Sequence, residues 1–183
     1  DEPDYYLNMG LTAEAVAKEF NVSRADQDLF SYNSHLKAGR AIQEGYFKSG
    51  ILPITVEEIY LDEKNKKQKR NFVVDTDEGV RADTSVEGLS KLKPAFAANG
   101  CITAGNSSQT SDGAAFVMVM SERMIKQTGL KPIARLVNCV SAGVHPRIMG
   151  IGPVAAVPKV LEKAGMRLND IDLIELNEAF ASQ

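Results

Sequence analysis

Three loops hold most of the side chains in this sequence that could meet a ligand. Ala104-Gly105-Asn106-Ser107-Ser108-Gln109 and Met149-Gly150-Ile151-Gly152-Pro153 each follow a strand-like stretch and lead into a further element. Glycine at such a place lets the backbone approach a ligand closely. Asn177-Glu178-Ala179-Phe180 follows the apolar stretch Asp172–Leu176 and puts polar side chains at the carboxyl end of an expected strand, where open α/β sheets bind ligands. Neither glycine stretch fits GxGxxG or the P-loop pattern, so the nucleotide-fold fingerprints are absent.

Nucleophiles are scarce. The two cysteines, Cys101 and Cys139, belong to no CxxC or CxxH pattern, which points away from zinc and from a disulfide framework. Both fall in predicted strands, where a cysteine is usually a small buried apolar residue. Of the two histidines, His35 sits mid-helix among polar residues and His145 precedes a proline, and both read as surface residues. No local pattern builds a Cys-His catalytic pair from these four residues. The basic run Lys64-Asn65-Lys66-Lys67-Gln68-Lys69-Arg70 reads as a solvated tip between two strands. With 21 Lys and Arg against 24 Asp and Glu, a net charge of -3 does not suit a protein built to neutralise nucleic-acid phosphates.

The elements that must position these loops follow from periodicity and caps. Leu11–Phe20 reads as a short helix stopped at Asn21, and Ser23 precedes a long amphipathic helix to about Glu44. Ile51–Leu61 and Phe72–Val74 read as paired strands joined by a polar stretch. Thr84 or Ser85 caps a helix carrying Val86, Leu89 and Leu92, and Ser121 caps another to about Thr128. Cys101–Ala104, Ala114–Met120, Ile133–Val144 and Asp172–Leu176 read as strands, and Pro153–Ala164 as a helix. From Ala114 onward strand and helix alternate, which predicts a parallel layered α/β arrangement, whereas the first half mixes helices with a hairpin.

The 183 residues are 44% hydrophobic and 25% charged, a globular composition that excludes disorder, collagen and a disulfide scaffold. The longest uncharged stretch, Pro94–Ser111, is rich in Asn, Gly, Ser and Thr, and no run of about 20 apolar residues exists to span a bilayer. A reducing compartment is the expected setting. Asp1-Glu2-Pro3 has neither an initiator Met nor a signal-peptide pattern, and Leu176–Gln183 stops without a helix cap. Both ends read as if the natural chain continues.

Met9-Gly10-Leu11-Thr12-Ala13-Glu14, Thr103-Ala104-Gly105-Asn106-Ser107-Ser108, Ser111-Asp112-Gly113-Ala114-Ala115, Met149–Pro153 and Asn177–Phe180 occur in an order and spacing that resemble the thiolases over nearly the whole chain. Gly105–Gln109 is more similar to the degradative 3-ketoacyl-CoA thiolases than to the biosynthetic acetoacetyl-CoA enzymes. The resemblance implies an α/β, thiolase-like fold containing a loop (lid) domain and parts of the two layered αβαβα halves. Residues 1–110 would give the CoA-binding loop domain, 111–130 the last strand and helix of the amino-terminal half, and 131–183 the start of the carboxy-terminal half.

The reaction implied moves an acyl group between a cysteine and coenzyme A, cleaving a 3-ketoacyl-CoA to acetyl-CoA and a shortened acyl-CoA, or running in reverse. It needs a nucleophilic Cys, an acid/base Cys and a His, and the motifs that carry these in the family are absent from this sequence. The resemblance therefore implies the middle of a thiolase, inactive alone. It places Arg81 at the nucleotide end of CoA, Phe96 near its adenine or pantetheine, and Ala104 and Ser108 along the pantetheine tunnel. Met9 and Met149 would border the acyl pocket with Ala179 and Phe180 beside them, and Asn177 would hold the water of an oxyanion hole. Gly88 stands where some relatives use Ser toward CoA.

No cofactor is expected, CoA being a substrate. The expected partners are CoA thioesters, the remaining amino- and carboxy-terminal parts of the same enzyme, and identical subunits in a dimer or tetramer, with neither nucleic acid nor membrane. The expected location is the cytoplasm or the matrix of a fatty-acid-oxidising organelle. The alternative is a stand-alone CoA-binding or oligomerisation module without catalysis.

Overall fold

Helix α1, Met9–Glu19, begins where the Asn8 side chain accepts the Leu11 N–H at 2.9 Å, satisfying one of the orphan donors of the first turn. Its buried residues are Gly10, Thr12, Ala13, Val16 and Ala17, all small, so neighbouring backbone comes in close. Asn21, expected from the sequence to stop the helix, follows it at φ 55°, in the left-handed conformation that asparagine tolerates. The computed structural model describes residues 3–183. Among these, the chain divides into two compact units, one comprising the stretch through Arg24 together with Lys93–Gln183, the other Ala25–Leu92.

In the first unit, Ala13, Ala17 and Ile102 form an apolar core against which Cys101 and Phe180 pack. A 3-10 helix, Pro146–Ile151, lies against α1. Helix α4, Glu122–Thr128, starts at Ser121, whose hydroxyl accepts the Met124 N–H, and α5 spans Gly152–Ala164. Each ends at a glycine, Gly129 or Gly165, with a positive φ. These boundaries lie within two residues of the sequence-based ones.

The second unit holds most of α2, Arg24–Gln43, and a two-stranded antiparallel sheet of β1, Ile54–Leu61, and β2, Lys67–Val74. Ile54 faces Val74 and Leu61 faces Lys67 in register. Asp62 accepts the Lys64 and Lys66 N–H groups and the Gln68 amide, folding the turn. The Gln68 hydrogen bond, then the Lys66 N–H, hold its carboxyl below the usual carboxylate range. The basic run is partly neutralised within the hairpin: Lys69 pairs with Glu57 and Arg70 with Glu58. The Arg70 guanidinium also lies 5.6 Å from the Tyr60 ring centroid and 5.7 Å from that of Phe72. Helix α3, Val86–Ser90, is capped by Ser85, which accepts the Gly88 N–H. In α2, expected from the sequence to be amphipathic, the buried residues are Gln27, Asp28 and Ser31, while the apolar Leu29 and Leu36 are exposed.

Four expected strands are not present as strands. Cys101–Ala104 contributes one isolated bridge, Pro94 to Thr103, and Ala114–Met120, Ile133–Val144 and Asp172–Leu176 have no ladder partner among the described residues. Phe116 is 96% exposed and Val117 88%. The physical reason is that a strand exists only as one side of a hydrogen-bonded pair. A run suited to a sheet buried on both faces stays irregular where no flanking strand is supplied. The cysteines follow suit: Cys101 is half-buried in a turn and Cys139 is exposed.

Candidate functional site

The Thr103–Ser108 loop is shaped by the side chain of Asn106, which is only 2% exposed. Asn106 Oδ1 accepts the Thr103 N–H at 2.7 Å, and its amide donates to the Cys101 carbonyl at 3.0 Å. The Ser107 hydroxyl donates to the Thr103 carbonyl, closing the turn from the other side. One asparagine thus satisfies a buried N–H and a part-buried carbonyl that would otherwise cost free energy.

The chain's last residues zip onto this loop. The Ser108 N–H donates to the Ala179 carbonyl at 2.8 Å and the Ala181 N–H to the Asn106 carbonyl at 2.9 Å, around an antiparallel bridge of Ser107 with Phe180. The Ser182 hydroxyl ties the same segment to the Ala13 carbonyl of α1. The Phe180 ring meets Phe96 edge to face, centroids 6.0 Å apart at 78°. Phe96 lies against Gly10, where any Cβ would collide with its ring.

The expected site residues therefore separate by location. Phe96, Ala179, Phe180 and Ser108 share this assembly, and Ala104 is exposed on the same loop. Met9 is exposed beside Gly10 at the start of α1. Met149 is exposed beside Gly150, where a Cβ would stand 3.5 Å from Val16 and Gln183. Asn177 is exposed, two residues before the buried Ala179. Arg81 belongs to the second unit, where its N–H donates to His35 Nδ1 at 3.2 Å.

Sequence reasoning gave no role to Glu14, which the structure makes central to the first unit. Its carboxylate accepts the Cys101 N–H at 2.9 Å, the Ile102 N–H at 3.0 Å and the Cys101 thiol at 3.3 Å. Glu14 occupies the space beside Gly100 so fully that a side chain there would strike it. The contact joins residues 87 apart in sequence, so no local pattern announces it. A carboxylate is the wrong neighbour for an attacking thiolate, which needs positive surroundings. A groove of about 470 Å³ runs beside this contact, lined by Leu7, Leu11, Ala15, Val22 and Cys101 among others. None of the expected acyl- or CoA-contacting residues lines it. No helix among the described residues is long and apolar enough to cross a membrane, and no group of three or more His, Cys, Asp or Glu there is arranged to hold a metal.

Two family models match the chain over almost its full length: the thiolase N-terminal domain matches residues 4–123 and the thiolase C-terminal domain residues 130–183. This chain belongs to the thiolase family. It is 51% identical over 181 residues to a 3-ketoacyl-CoA thiolase of Bacillus subtilis, covering 99% of this chain and 46% of that protein. It is 46% identical over 180 residues to the peroxisomal 3-ketoacyl-CoA thiolase of Homo sapiens, covering 98% of this chain and 42% of that one. The crystal structure of the Bacillus anthracis acetyl-CoA acetyltransferase superposes with a TM-score of 0.88 at 44% identity, covering 96% of this chain and 42% of that structure. The chain thus spans less than half the length of these relatives.

Proposed function

We propose that this chain is the ligand-holding portion of a longer acetyl-CoA C-acyltransferase, which cleaves 3-ketoacyl-CoA with free CoA or runs the reverse condensation. The observation that carries the reading is the joining of Ser108 to Ala179 and of Phe96 to Phe180 around the Asn106 loop. This brings Phe96 and Ser108 together with Ala179 and Phe180, two stretches far apart in sequence that the family resemblance assigns to one CoA and acyl site. The relatives' names, 3-ketoacyl-CoA thiolase and acetyl-CoA acetyltransferase, support the same chemistry.

In this reading Phe96, Ala104 and Ser108 bind the pantetheine side of CoA. Met9, Met149, Ala179 and Phe180 border the acyl group, and Arg81 meets the nucleotide end. Asn177 orients a water toward the carbonyl oxygen as it becomes an oxyanion; a neutral amide does this without adding charge. The nucleophilic Cys, its His and the acid/base Cys come from other parts of the enzyme, which acts as a dimer or tetramer. Its setting is the cytoplasm or a fatty-acid-oxidising organelle. Cys101, hydrogen-bonded to Glu14, is structural.

Thiolysis of acetoacetyl-CoA tests the proposal in two arms. The 183-residue chain should show no turnover. Activity that survives rigorous purification and disappears on Cys101→Ala or Cys139→Ala would overturn the reading of the cysteines. In the complete enzyme, Asn177→Ala should keep near-normal substrate binding while slowing turnover by up to about 10²- to 10³-fold, the range for one lost oxyanion donor. Asn177→Asp should be slower still, since it sets a carboxylate beside developing negative charge. Wild-type turnover in both variants would remove Asn177 from the mechanism.

A further inference from the structure

Helix α2 grips the segment that carries Arg81 at two points one helical turn apart. His35 and Gly39, four residues apart, lie on the same face of the helix. At Gly39 an added Cβ would stand 3.7 Å from the Val80 side chain, an ordinary contact distance, so Val80 lies beside this face of the helix. At His35 the imidazole Nδ1 accepts the Arg81 N–H at 3.2 Å, a bond between residues 46 apart in sequence. Two further hydrogen bonds in this stretch are local: Thr76 to Asp75, and the Thr84 N–H to the Arg81 carbonyl. The contacts to α2 are therefore what tie Val80 and Arg81 to a regular element. Gly79 and Val80 are half-buried while Arg81 is exposed, so the chain surfaces at the residue whose backbone is fixed.

We infer that His35 is a positioning residue for Arg81: its imidazole, accepting at Nδ1, holds the Arg81 main chain so that the guanidinium starts from a fixed point toward the nucleotide end of a CoA thioester. This rests on the reading of Arg81 given above and adds the residue that presents it. Lysine, arginine or an aliphatic side chain at position 35 offers no acceptor, whereas a glutamine amide oxygen does. Because His35 acts through the backbone of Arg81, its loss falls on binding, which a segment free to wander must regain by being ordered when the ligand arrives.

Steady-state thiolysis by the complete enzyme, with acetoacetyl-CoA and free CoA, reads the effect. His35→Leu should raise the Michaelis constant for CoA by about 3- to 10-fold, the range that one net hydrogen bond supplies, with turnover within about two-fold. His35→Gln should restore most of the affinity, and amide hydrogen exchange at Arg81 should be fast in His35→Leu and slow in His35→Gln. His35→Leu combined with Arg81→Ala should be no worse than Arg81→Ala alone, the non-additivity expected of residues acting as one unit. If Arg81→Ala weakens CoA binding while His35→Leu leaves it unchanged, or if the two losses simply add, the reading of Arg81 stands and the role of His35 is overturned. If Arg81→Ala itself binds CoA as tightly as wild type, the reading of Arg81 falls and this inference falls with it. Should His35→Leu lose its cooperative thermal transition, His35→Phe, which keeps ring volume without an acceptor, takes its place under the same criteria.

Discussion

The turn from Cys101 to Ser108 and the run from Ala114 to Met120 are close in sequence and opposite in fate. The turn is rich in polar side chains, yet Thr103 and Asn106 are buried; the run is wholly apolar, yet Phe116 is 96% exposed. Burial in this chain follows the availability of partners more than hydrophobicity. Asn106 pairs both ends of its amide with backbone groups, one buried and one part-buried, and receives the Ala181 N–H on its own carbonyl, so desolvation is compensated bond by bond. The run from Ala114 to Met120 has neither a ladder nor an apolar surface to cover it among the described residues.

That contrast can be broken most directly at Asn106. Asn106→Ala removes the acceptor of the buried Thr103 N–H and a donor to the part-buried Cys101 carbonyl; at roughly 1–3 kcal/mol for each bond lost, the 183-residue chain should lose about 2–6 kcal/mol in urea unfolding. A loss under about 1 kcal/mol would show that water enters the turn and that its burial is nominal. Gly10→Ala comes next. Its new methyl runs into the Phe96 ring, so the chain should lose about 1–3 kcal/mol, the usual penalty of overpacking. Phe96→Ala in the same chain should relieve that clash, giving a double variant more stable than additivity allows. The smallest effect is expected in the exposed run. Phe116→Ser should change stability by no more than about 0.5 kcal/mol while lowering light scattering at high concentration, since the substituted side chain is in water. A destabilisation beyond about 2 kcal/mol would mean that the run is covered in solution.

The helices were legible because their ends are written in local chemistry. Ser85 and Ser121 accept N–H groups three residues on, and Asn21, the expected stop, lies just past the end of α1. The hairpin was legible from the alternation in β1, but the polar half of β2, Lys67–Asn71, joins the ladder through backbone pairing with Glu57–Leu61 and carries no apolar signal. The four expected strands show the limit of periodicity. It reports a side chain's suitability for a sheet and says nothing of whether a neighbour is present. For the site, motif resemblance singled out Phe96, Ser108, Ala179 and Phe180, which the fold joins. The acceptors that fix their scaffold, Glu14 and Asn106, were invisible as such, because their partners are backbone groups brought close only by folding.

Glu14 has one more consequence, for the entropy of the chain. By gripping the amides of Cys101 and Ile102 from α1, it closes an excursion that contains the entire unit from Ala25 to Leu92. Once such a loop is closed, its length enters the free energy only logarithmically, each doubling costing about 0.6 kcal/mol. The excursion can therefore be lengthened, shortened or exchanged with little penalty to the unit that carries the Asn106 turn. Variation between relatives is thus expected to collect between Ala25 and Leu92, leaving the residues around Glu14 and Cys101 as the fixed clasp.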